Sequence, residues 1–296
     1  MADTLIGAAF AVLGALCLAV QSLTIRLGTK THRVTDVVAA MFAVNLLVLV
    51  PLAGVAGYPD YGLTPGGVAA FAVAGLLGSL LARFCYFHGI ARLGASRAEP
   101  LKALFPVFAG GVAVLALGES LSLALAAGVA LLVLGGAVVA LDSRATSATA
   151  SGQRLRADLA YPLAAALLLG VDPVFTKLGL ATGTTPLVGL TVRVVAATLG
   201  FLAYLGWRRV RDGVGWRPRA NRWLVAASVA NTGYLGAYYA ALDRAPVAVV
   251  TPLLGVSTLF VVAGAALFLQ REERVTARLG VAAVLVVAGA ALVVRG

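Results

Sequence analysis

Residues 84–120 read FCYFHGIARLGASRAEPLKALFPVFAGGVAVLALGES. The stretch holds the end of one apolar run, a very short hinge and the whole of the next run. Arg83 precedes it directly, Glu99 and Lys102 lie inside it, and Pro100 and Pro106 mark its second run. A degraded copy follows 152 residues later: Tyr86, Arg92, Pro100, Leu101 and Phe108 return as Tyr238, Arg244, Pro252, Leu253 and Phe260. The register carries on, with Gly128, Val129 and Ala130 returning as Gly280, Val281 and Ala282. A chain that repeats at half its length is read first as two related units.

Of 296 residues, 61% are hydrophobic and 12% charged, and the mean hydropathy is +0.98. Soluble domains carry about 25% charged residues, so there is too little polar surface here to cover a globule in water. The composition implies an all-α integral membrane protein whose surroundings are the lipid bilayer. A net charge of +11 would suggest nucleic acid only if the basic residues formed one face. They lie instead in short loops between apolar runs, so no nucleic-acid partner is expected. Cys17 and Cys85 sit inside apolar runs and read as buried free thiols. His32 and His88 are the only histidines, so no metal site is expected. The N-terminus has Asp3 and no Lys or Arg before Arg26. A signal peptide starts basic, and the first run is therefore expected to remain as a span.

A helix crossing the hydrocarbon needs about 20 mostly apolar residues. Ten segments fit: 5–26, 36–57, 67–91, 97–117, 122–141, 159–181, 187–207, 222–242, 246–269 and 276–294. Residues 142–156, rich in Ser, Thr, Ala and Arg, form the natural linker between a first unit, 1–141, and a second, 157–296. The first spans of the two units align as well: Val20-Gln21 meets Val171-Asp172, and Arg26-Leu27-Gly28 meets Lys177-Leu178-Gly179. Five spans per unit is an odd number, so the second unit enters the membrane from the opposite side. The expected fold is ten transmembrane helices arranged as two inverted five-helix repeats, with a site near the midplane between them.

The loops after spans 1, 3, 5, 7 and 9 hold 17 of the 23 Lys and Arg residues, counting Arg26, while the opposite side holds only Arg244 and Arg295. The positive-inside rule makes the first group cytoplasmic and places both termini outside.

The segment YFHGIARLGASRAEPLKALFPVFAGGVAVLALGESLSLALAAGVALLVLGGAVVAL has a tyrosine-rich helix end, an LGAS hinge, a PVF helix and a GE turn before a Gly-rich helix. It resembles the third-to-fifth-helix signature of EamA-like proteins of the drug/metabolite transporter superfamily. The segment beginning YYAALDRAPVAVVTPLLGVSTLF looks like the same unit. The resemblance spans nearly the whole chain in two copies. It implies a central cavity lined by the first four helices of each half, and small metabolites, often amino acids, as cargo. Two departures stand out. Family members usually keep their termini in the cytoplasm, against the charge count here. They also commonly have small or apolar residues where Glu99 and Lys102 stand.

Ionisable groups at membrane depth are costly, and they face a cavity, a partner or water. Arg83, two thirds along the third span, offers a planar fork for a carboxylate or phosphate; a structural ion pair with Glu99 is the alternative. Glu99 and Lys102, three apart, share a face of the fourth helix. Glu99 is a candidate proton carrier, or a salt-bridge partner of Lys102 or Arg83. Lys102 is a candidate substrate contact or a snorkelling side chain. Pro106 should kink that helix. Asp172, beside Pro173 in mid-span, is the second candidate proton carrier. Arg193 is a substrate contact or the partner of Asp172, and Lys177 snorkels. Tyr86, Tyr234 and Tyr238 are candidate cavity residues, with Tyr239 beside them, although aromatics are also common at interfaces. His88 reads as an interfacial hydrogen-bonding residue. Asn45, Asn231 and Gln21 read as helix–helix hydrogen-bonding groups. Glu119 and Glu272 read as turn charges.

The expected function is secondary transport of small metabolites such as amino acids, with the two halves alternating, and the family resemblance implies export. Four basic against two acidic groups within the spans favour a carboxylate- or phosphate-bearing cargo. Phosphorylated or sugar-type solutes and multidrug efflux are the alternatives within transport. A lipid-acting enzyme or lipid-binding protein is the alternative from another class, but the chain holds no HExxH or GxSxG motif. No cofactor is implied, and no ATP-binding motif is present that would call for a partner ATPase subunit.

Overall fold

A computed structural model of the chain describes residues 2–109, 111, 123–146, 152–213, 219, 221–245, 250 and 253–295. The later part of the fourth expected span, most of its turn with Glu119, the start of the ninth span, the centre of the linker and the side chain of Tyr239 lie outside them. All regular elements among the described residues are helical. They are α1 (Ala2–Gly28), α2 (Val34–Ala56), α3 (Pro65–Ala74), a π-helical segment (Gly75–Ala82), α4 (Arg83–Leu93), α5 (Ala95–Lys102), α6 (Leu123–Thr146), α7 (Gly152–Leu180), α8 (Pro186–Asp212), α9 (Arg222–Arg244), α10 (Ser257–Phe268) and α11 (Ala277–Arg295).

Six of the helical rods are long and apolar enough to cross a membrane: 5–28, 34–56, 65–93, 126–143, 157–180 and 186–211. Shorter apolar helices cover 253–268 and 277–292. The α9 helix has the length, but Asn231, Thr232, Tyr234 and Tyr238 make it less apolar. Those polar positions lie where α9 meets α1 and α2.

Packing follows the repeat. The α1 helix of the first half runs along α9 of the second, and α7 of the second half runs along the rod formed by α3, the π segment and α4 of the first. Exchanging the halves turns one of these contacts into the other. The α6–α11 pair is its own counterpart under the same exchange. Apolar burial does not drive helices together within lipid, so close packing of small residues and interhelical hydrogen bonds do so. At the α6–α11 seam a Cβ on Gly289 would lie 2.7 Å from the Gly128 carbonyl oxygen.

The α5 helix stops at Lys102, two residues after Glu99's neighbour Pro100, and helical geometry resumes at 105–109. Pro106 explains part of this. It has no N–H for the Lys102 carbonyl, and its ring crowds that group. The second half breaks at the same place without a proline, since Thr258 stands where Pro106 does. Leu104 N donates to Leu101 O at 3.3 Å and Val107 N to Leu104 O at 2.9 Å. Their counterparts, Val256 N to Leu253 O and Leu259 N to Val256 O, measure 3.2 and 2.9 Å. The break therefore belongs to the repeat, and the proline only reinforces it. Pro106→Ala is expected to keep the break and to shift the melting temperature by less than about 3 °C, the effect of roughly 1 kcal/mol in a chain of this size. A larger rise on removing the ring would show that Pro106 imposes the break.

Candidate functional site

The rod from Pro65 to Leu93 changes to π geometry at Gly75–Ala82, and Arg83 follows at once. Wide turns of this kind recur at functional sites. Here the turn meets α7 and α8 from the other half. A Cβ on Gly78 would lie 2.7 Å from Asp172 Oδ1 and 3.1 Å from Arg193 Nη2. The glycine leaves room for an ion pair between α7 and α8. In that pair Arg193 Nη2 donates to both oxygens of Asp172, at 2.9 and 3.0 Å. Arg193 Nη1 donates to Thr176 Oγ1 at 3.1 Å, one turn beyond Asp172. Arg193 Nε is buried and has no hydrogen-bond acceptor among the described residues.

Arg83 does not form the ion pair with Glu99 that the sequence offered as one reading. Its Nη1 donates to Met41 Sδ at 2.9 Å. A thioether is a weak acceptor for a group carrying five N–H donors. Arg193, Asp172 and Tyr234 lie within electrostatic range of Arg83, and Tyr238 lies within range of Arg193. Tyr234 and Tyr238 stack with ring centroids 5.9 Å apart. The interior thus gathers two guanidiniums, one carboxylate and two phenols, drawn from both halves.

Glu99 lies in a second cluster and is 1% exposed. Lys102 Nζ pairs with its Oε1 at 2.6 Å. Tyr86 donates its hydroxyl proton to Glu99 Oε2, and Ser22 Oγ lies 3.3 Å from the same oxygen. Lys102 Nζ also stands 4.6 Å from the centroid of the Tyr86 ring, close enough for a cation–π contact. Lys102 is therefore engaged with Glu99 and Tyr86, the salt bridge that the sequence offered as one reading of Glu99. Two strong partners explain how a buried carboxylate is tolerated here.

The clusters meet at α1. Ser22 touches Tyr86 and Glu99, and its neighbour Gln21 reaches Met41 Sδ at 3.7 Å, the sulfur that Arg83 uses. Gln21 also donates to Asn231 Oδ1 at 3.4 Å, and Asn231 Nδ2 donates to Asn45 Oδ1 at 3.0 Å. These three amides cross-link α1, α2 and α9, the helix–helix role the sequence suggested. Midway along α4, His88 Nδ1–H donates to the Phe84 carbonyl at 2.7 Å, and its ring stacks on Tyr161. Lys177 is exposed on the last turn of α7.

The sequence reading passed over Ser22, Thr176, Met41 and above all Glu273. The Glu273 carboxylate accepts the N–H of Ala95 at 2.6 Å, the N–H of Ser96 at 3.0 Å and the Ser96 hydroxyl at 2.6 Å. One usable signal was the LGAS hinge: a helix starting at Ala95 leaves orphan amides that need an acceptor. Hollows of about 770 and 350 Å³ open elsewhere, the first beside Asp142, Glu273 and Arg274, the second beside His32, Phe84 and His88. Neither is lined by Arg83, Glu99 or Asp172.

Solved structures share the fold, among them a crystal structure with a TM-score of 0.62, 21% sequence identity, and coverage of 98% of this chain and 96% of that one. No curated protein matches the chain. The EamA-like transporter family matches twice, over residues 5–141 and 158–295. With its apolar helices and two-copy layout, the chain is a multi-pass membrane protein that belongs to the EamA-like transporter family of the drug/metabolite transporter superfamily.

Proposed function

We propose that the chain is a ten-span secondary transporter. In this reading two inverted five-helix repeats, 1–141 and 157–296, joined by 142–156, give alternating access to a small metabolite bearing a carboxylate or phosphate, amino acids included. The direction is export, the basic odd-numbered loops are cytoplasmic and both termini are outside. The observation that carries the cargo class is the pair of interior arginines facing a single carboxylate. Arg83 donates to the Met41 thioether sulfur, and Arg193 has a buried Nε with no acceptor among the described residues. A guanidinium in that position matches a planar anion. Arg83 anchors the anionic group, Arg193, Tyr234 and Tyr238 line the same space, and Tyr86, Glu99 and Lys102 line the adjoining one. Asp172 and Glu99 are the groups available to exchange a coupling proton.

Loop contacts support the two-sided topology. Lys30, Arg97, Asp142 and Glu273 follow spans 1, 3, 5 and 9, and they lie together in one network. Loops after spans 2 and 6 meet separately, where Thr184 Oγ1 donates to the Gly62 carbonyl at 2.7 Å.

The test is a thermal-stability screen of purified protein against amino acids, organic acids, sugar phosphates and lipophilic cations, followed by flux of the stabilising compound into liposomes. A ligand that binds only the folded state raises the melting temperature, by about 2.7 kcal/mol of added stability at 100 times its Kd. Stabilisation and flux with anionic solutes are expected. Stabilisation by lipophilic cations alone would move the reading to drug efflux.

A further inference from the structure

The segment 272–276, between α10 and α11, binds the first half of the chain through four ties. Glu272 pairs with Lys30 at the end of α1. Glu273 approaches Arg26 Nε at 3.4 Å and caps α5 through Ala95 and Ser96. The Arg274 carbonyl accepts from Arg97 Nη2 at 3.0 Å. Thr276 donates to Asp142, whose other oxygen takes Arg97 Nε and Nη2 at 3.1 and 2.8 Å. Arg26 adds bonds to the carbonyls of Ile90 and Ala91, at 3.2 and 2.7 Å, where α4 ends.

Two features show that the seat of Glu273 is built for it. Gly94, the hinge between α4 and α5, has φ +93°, which side chains rarely adopt. A Cβ there would also lie 2.5 Å from the Glu273 carboxyl carbon. Glu273 is 5% exposed, and the amides it accepts belong to the first turn of the helix. A carboxylate there is favoured both as a hydrogen-bond acceptor and by the helix dipole. Glu99 and Lys102 follow on the next turn of the same helix.

We propose that segment 272–276 is an ionic latch that closes this face of the transport pathway. Glu273 is its positioning residue: it holds α5, and through α5 it sets Glu99 and Lys102. When the latch opens, α5 loses its cap, so the access of this face and the geometry of the interior cluster change together. The proposal rests on the alternating-access reading, but its test needs no cargo, so a failed flux assay and a failed latch test are distinguishable.

The experiment places one cysteine, Ala98→Cys, in protein whose Cys17 and Cys85 are both replaced by Ala, reconstituted in liposomes. Ala98 lies on α5 and is fully buried. The rate of alkylation by N-ethylmaleimide is measured with Glu273 intact and with Glu273→Ala, Glu273→Asp or Thr276→Val. Losing charged hydrogen bonds at the cap should raise the rate about tenfold or more in Glu273→Ala. Glu273→Asp, which keeps the charge, should stay within about threefold of the parent, and Thr276→Val should fall between. Thr276→Val also serves if Glu273→Ala does not fold. A control cysteine, Val286→Cys, is buried in α11, away from the latch. Unchanged rates at Ala98→Cys in folded variants overturn the latch. So does an equal rise at Val286→Cys, which would mean general loosening.

Discussion

Arg83→Ala is expected to lose the thermal stabilisation that a carboxylate or phosphate gives the wild type. Truncating one partner of a buried, hydrogen-bonded charge pair costs about 2–5 kcal/mol of binding. That corresponds to about a 30-fold or larger rise in Kd. Arg83→Lys keeps the charge but loses the planar fork, so it should bind with intermediate affinity. Without ligand, the Arg83→Ala protein should melt at or above the wild-type temperature, because the contact it gives up is to the Met41 thioether. Titrations of melting temperature against ligand concentration check both points. An alanine variant that binds the anion as tightly as wild type would end the anchoring role. One that unfolds without ligand would make Arg83 structural.

Asp172→Ala is expected to destabilise the protein by about 3 kcal/mol, the usual cost of stranding one member of a buried ion pair. The melting temperature should fall by about 6 °C or more. The guanidinium of Arg193 would be left with Thr176 as its side-chain acceptor, and its Nε already has none among the described residues. The double variant Asp172→Ala/Arg193→Met should recover most of the loss, since both charges leave together. Thermal melts of the wild type, Asp172→Ala, Arg193→Met and the double variant in one detergent complete the cycle. If the double variant is no more stable than Asp172→Ala, the pair does not account for the cost.

Hydropathy made most helices legible because a lipid solvent demands long apolar runs and satisfied backbones. The rods at 34–56, 65–93 and 186–212 lie within a few residues of the spans read from sequence. The repeat was legible in side chains such as Tyr86 and Tyr238, and it reappears as matched hydrogen bonds at 101–107 and 253–259. The Asp172–Arg193 pair could be anticipated because both charges sit where water is scarce. Lys102 was harder to place, since a flexible ammonium near a helix end can reach either the headgroups or a neighbouring carboxylate. Glu273 escaped notice because its partners lie some 177 residues away and are backbone amides, which leave no mark on composition. The π segment also left little trace, as GLLGSLLA reads as ordinary apolar helix.

That wide turn works as a phase adjuster in the rod from Pro65 to Leu93. An α-helix advances about 100° per residue, so one residue gained or lost rotates everything beyond it by more than a quarter turn. Upstream of Arg83, the rod presents Gly75 and Gly78 to the backbone and side chain of Arg193. Downstream it presents Tyr86 to Glu99. A regular helix would fix these two bearings by a single period. Gly75 and Gly78 lie inside the widened segment and Tyr86 beyond it, so each bearing can be set against its own neighbour.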